Sequence, residues 1–100
     1  MILNDGKYEV DTSTSRLLAT STEIAEGGGY SWETHSVYKL WLSAKGKYFI
    51  TRDYKEYICM WFLRGGPVKG TVVHVYDNED EARQAWANYG EVPRSMLVPI

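Results

Sequence analysis

Cysteine is almost missing from this chain of 100 residues, with Cys59 alone. One thiol forms no internal disulfide and no four-cysteine metal site. Its place in the apolar run YICMWFL reads as a buried, inert side chain. The only histidines, His35 and His74, lie far apart with no cluster of acids between them, so no metal-ligand spacing emerges. Long apolar runs are also missing. The longest falls well short of the ~20 residues that a membrane helix needs. The start, MILNDGKYEV, carries acids early and has no signal-peptide pattern, so the expected compartment is the cytoplasm.

Hydrophobic residues make up 44% and aromatic residues 14%, enough for a packed core and too much for disorder. Residues 1–100 are expected to form a single domain. The net charge of −2 hides an uneven distribution. Residues 1–35 set Lys7 and Arg16 against six acids, whereas residues 36–70 set seven bases against Asp53 and Glu56. Residues 71–100 are acidic again. A basic middle lies between two acidic flanks.

That middle stretch, SVYKLWLSAKGKYFITRDYKEYICMWFLR, organises the chain. In residues 36–43, Tyr38, Leu40 and Leu42 alternate with Val37, Lys39 and Trp41. AKGK supplies a turn with Gly46 open to positive φ. Residues 47–53 return as a strand with Tyr48 and Ile50 opposed to Phe49 and Thr51. Residues 52–56 read as a charged turn, and 57–63 as a central strand apolar on both faces.

Around this core, residues 7–11 predict a short strand with Tyr8 and Val10 on one face. DTSTS predicts turns and caps, because these side chains bond to nearby backbone. Residues 16–24 predict a short helical or turn beginning that opens into a strand. AEGGGYSWETH, at 25–35, predicts a connecting loop. Its glycines are followed by neither Lys-Ser/Thr nor a spaced-glycine helix start, so they match no phosphate-binding motif. RGGP at 64–67 breaks the chain before a last strand at 70–77. There Val72, His74 and Tyr76 oppose Val73 and Val75. Asn78 then caps a helix, with Glu79, Asp80 and Glu81 at its positive end. Ala82, Ala85, Trp86 and Tyr89 form its apolar face, and Gly90 is expected to end it in a left-handed conformation. The tail EVPRSMLVPI predicts an extended segment, with Met96, Leu97 and Val98 packed on the sheet or exposed for docking. The fold class is α+β: an antiparallel sheet of four to five strands with one C-terminal helix packed on one face.

Tyr8 with Asp11, Thr12 and Thr14, then Leu40–Trp41, Gly46–Tyr48–Phe49, Gly65–Gly66–Pro67, and Ala82 with Trp86 form a recurring order. In these features the chain resembles a group of small uncharacterised proteins carried by phages, plasmids and other mobile elements of bacteria. It departs from their pattern at Val10 and through 53–63. The resemblance implies a mobile-element setting, in which small accessory proteins often inhibit host defence, anti-CRISPR proteins among them.

No catalytic set emerges. Cys59, His74 and Asp77 share residue types with a nucleophilic triad, yet nothing in the spacing brings thiol and base together. The expectation is a non-enzymatic protein without cofactor or metal. It would bind a protein complex of the bacterial host, with Tyr30, Trp32, Arg52 and Tyr54 as anchors and Glu26 and Glu33 steering. The alternative partner is nucleic acid, held by Lys39, Lys45, Lys47, Arg52 and Lys55 interleaved with tyrosines.

Overall fold

A computed structural model describes residues 1–27, 32–58 and 68–97, with side chains described for 1–25, 33–56 and 69–97. The chain is α+β. Its elements are β1 (Ile2–Asn4), β2 (Glu9–Asp11), β3 (Arg16–Gly27), β4 (Trp32–Leu42), β5 (Tyr48–Ile58), β6 (Val68–Tyr76) and the helix α1 (Glu79–Trp86). β1 and β2 form a two-stranded antiparallel sheet. β3, β4, β5 and β6 form a four-stranded antiparallel meander in chain order. β1 has no counterpart among the sequence expectations: its three residues are too short to show a period.

Side chains alternate across a strand, so the registers define two faces. On one face, Leu40 opposes Ile50 and Ala19, and Tyr48 opposes Leu42 and Tyr76. Leu40 and Ile50 share a buried cluster with Ala82, Trp86 and Met96, and Tyr38, Tyr48 and Tyr76 pack against it. On the other face, Phe49, Val73 and Val75 share a second cluster with Val10 of β2, joined by Leu3, Tyr8 and Trp41. The predicted alternation in 36–43, 47–51 and 70–76 is therefore observed.

The local signals act largely as expected. Gly46 has φ +85° in the β4–β5 turn. Asp11 caps a 3₁₀ turn over Thr12–Thr14, its carboxylate accepting from the Ser13 N–H, and β3 opens two residues later. The Asn78 side chain accepts from the Glu81 N–H at 2.9 Å, one half of a capping box.

Several expectations are corrected. Residues 52–56 are not a turn: β5 runs unbroken to Ile58, in register with β4 throughout and with β6 from Glu56 back to Tyr48. Residues 57 and 58 end that strand rather than open a new one, while 59–63 and 64–67 lie outside the described residues. The loop expected over 25–35 is corrected at both ends: β3 continues to Gly27, which pairs with Trp32 at the start of β4, and residues 28–31 lie outside the described residues. Gly90 is not left-handed, since the described positive-φ glycines are Gly6 and Gly46. It is small for another reason: a Cβ there would stand 3.2 Å from that of Ser21 on β3. The tail forms a 3₁₀ turn over Arg94–Met96 that buries Met96 and leaves Leu97 exposed; Val98 lies outside the described residues.

Candidate functional site

Both buried clusters draw on the same end of the four-stranded sheet, the end bearing residues 38–42, 48–50 and 73–76. The strands run on past them. An eleven-residue strand such as β5 spans ~36 Å at ~3.3 Å per residue, and the molecule measures 54 × 31 × 19 Å. Among the described residues, none in the far half, residues 22–27, 32–37, 53–58 and 68–71, belongs to either cluster, and Arg52 and Val72 stand at its border in the Tyr38 row.

On the Leu40 face of this far half, Arg52 and Tyr54 stand two residues apart on β5. The Arg52 guanidinium lies 5.1 Å from the centre of the Tyr54 ring, within cation–π range. Arg52 Nε donates to Ser36 Oγ at 3.1 Å across the β4–β5 pair. Tyr54 pairs with Gly70 of β6, and its ring lies directly over that glycine. Val72, opposite Arg52, is exposed. Thr34 and Ser36, the small residues of β4 on this face, are buried. Two of the expected anchors thus come together, on a strand rather than in a loop.

The opposite face carries a mixed set of charges. His35, Lys55 and Lys69 stand in direct cross-strand register on β4, β5 and β6. Together with Val37, Asp53 and Thr71 they line a depression of about 520 Å³. Like charges directly opposed are unfavourable, and acids temper this row. Glu33 Oε2 lies 3.0 Å from His35 Nε2, and Asp53 accepts from Thr71 Oγ1 at 2.6 Å. Glu33 also stands opposite Glu26 of β3 in register. No short sequence pattern marks this row, because only the register pairs Lys69 with Lys55.

The basic residues expected to hold nucleic acid do not converge. Lys39 and Lys55 share the His35 face, and Arg52 occupies the other. Lys45 and Lys47 sit at the near end, around the β4–β5 turn. There Lys47 Nζ lies 4.9 Å over the Tyr8 ring and 3.9 Å from Asp77. Trp32 opens β4 opposite Ile58 and Gly27, and Tyr30 lies outside the described residues. His74 packs its ring 4.6 Å from Tyr76, and Cys59 lies outside the described residues. Among the described residues, no three His, Cys, Asp or Glu side chains form a metal-sized group, and no helix is long and apolar enough to cross a membrane.

No family model, no curated protein and no solved structure matches this chain.

Proposed function

We propose that this protein is a non-catalytic binding module that recognises another protein through the far half of its sheet, anchored at Arg52 and Tyr54. The observation that carries this reading is the fixed Tyr54 ring, seated over Gly70 and flanked by Arg52. Tyrosine and arginine dominate interface energetics. A ring already held in place loses less conformational freedom on binding. Exposed Val72 adjoins this pair and supplies apolar area. The mobile-element resemblance extends the reading to a target, a protein complex of bacterial defence that the module would occupy and inhibit.

A nucleic-acid role has one observation in its favour, the row His35–Lys55–Lys69 with Lys39 on the same face. It is the weaker reading. Backbone binding needs several cations on one track, and Glu33 and Asp53 interrupt this one.

The test is affinity capture from a bacterial lysate, with and without nuclease, using the wild-type chain and an Arg52→Ala/Tyr54→Ala double variant. The protein reading expects a stoichiometric partner that survives nuclease and is recovered at least about tenfold less by the double variant. Recovery that vanishes with nuclease would replace it with the nucleic-acid reading. Full recovery by the double variant would remove Arg52 and Tyr54 from the site.

A further inference from the structure

The two edges of the four-stranded sheet are treated differently. At β6, the Asp5 carboxylate accepts a hydrogen bond from the Val75 N–H at 3.1 Å, and β1 lies alongside. A side chain therefore stands where an added strand would begin. At β3, among the described residues, the only backbone–backbone hydrogen bonds are those with β4, and one side chain, Ser21 Oγ, donates to the Tyr89 carbonyl. A bulge separates Leu17 from Ala19, and beyond it the register with β4 is regular from Ala19 to Gly27. That stretch, ATSTEIAEG, contains none of the lysine or proline that commonly blunts an edge. Its Thr22, Glu23, Ile24 and Ala25 are exposed, Ile24 at 62%.

The charge on this edge selects among occupants. Glu23 and Glu26 are its only charged residues. A second copy paired antiparallel here would bring two more carboxylates beside them, and like charges across a strand pair are destabilising. A strand with basic side chains on the Glu23 face meets the opposite condition there, while Glu26, three residues on, lies on the Ile24 face. We propose that the β3 edge, over residues 19–27, accepts an extended basic segment of a partner protein by strand addition. Backbone hydrogen bonds supply affinity, Glu23 pairs with a basic side chain, and Ile24 packs against an apolar one on the other face. This inference rests on the protein-binding reading and adds how the partner is held.

The probe is a capped synthetic heptapeptide of alternating valine and lysine, titrated into ¹⁵N-labelled protein. Shift changes and slowed amide exchange should be confined to residues 19–27, with a dissociation constant below about 1 mM. Glu23→Lys should weaken binding at least about tenfold. N-methylation of the peptide backbone, or glutamate in place of its lysines, should abolish it. Absence of shifts at about 1 mM, shifts on β6 or scattered over the acidic surface, or equal binding of the N-methylated peptide would each overturn the proposal. Concentration-dependent broadening at β3 without peptide would overturn it in favour of a second copy. Should the peptide fail while lysate capture still depends on Arg52 and Tyr54, strand addition falls and the protein-binding reading stands.

Discussion

The Tyr54 ring lies over Gly70 on the neighbouring strand, so close that a Cβ at Gly70 would stand 2.7 Å from the phenol oxygen. The glycine forfeits strand propensity to make room, and the ring covers the backbone that the missing side chain exposes. Gly70→Ala restores propensity but displaces the ring. It should change stability by no more than about 1 kcal/mol while weakening partner recovery. The geometry itself is checked by NMR: the Gly70 Hα resonances should sit upfield under the ring and return to ordinary values in Tyr54→Leu.

Trp86 is fully buried and its indole N–H donates to the Glu91 carbonyl at 3.0 Å. It joins Ala82 and Met96 to Leu40 and Ile50. Trp86→Ala removes the largest side chain of that cluster and should cost about 3–5 kcal/mol in urea unfolding. Ile24→Ala, on the exposed edge, should shift stability by only about 0.5 kcal/mol. Comparable losses at both positions would contradict a core confined to one end of the sheet.

That confinement also explains what the sequence could reveal. Alternation of apolar and polar residues records a strand with one face buried, and it is clear in 38–42, 48–51 and 72–76, where a cluster lies on each face. Residues 52–56, RDYKE, run from the border of the clusters, where Arg52 opposes Tyr38, into the far half, so charge occurs on each face and the strand looks like a turn. The same holds for residues 25–27, where glycine composition hides a strand end. Arg52 and Tyr54 were legible as interface residue types, but their meeting with Ser36 and Gly70 depends on a register that no short pattern encodes. The helix start was plain because Asn78 and Glu81 act on adjacent backbone. Its end is not legible in the local sequence, because Gly90 answers to Ser21, distant in the chain.

The Asp5 carboxylate accepts from the N–H groups of Tyr8, Lys7 and Val75. These bonds, the Tyr8 one foremost, hold its pKa below the ordinary aspartate value. A carboxyl depressed in the folded state stabilises the fold above its unfolded pKa, and that contribution is lost as pH falls through the folded value. Stability should therefore decline below about pH 4, with slowed exchange of the Val75 amide lost in step. Asp5→Asn should flatten this part of the profile and leave the β6 edge exchanging faster at neutral pH. An unchanged acid limb would assign the decline to other carboxyls.

The central claim, that the far half of the sheet is the recognition surface, is tested most directly by hydrogen exchange of the free protein against its captured complex. Protection is predicted in residues 19–27, 33–37, 52–56 and 69–72, with the amides of 38–42 and 79–86 unchanged. Protection concentrated instead on α1, the β1–β2 sheet or the β4–β5 turn would place the partner on the near end and contradict the account.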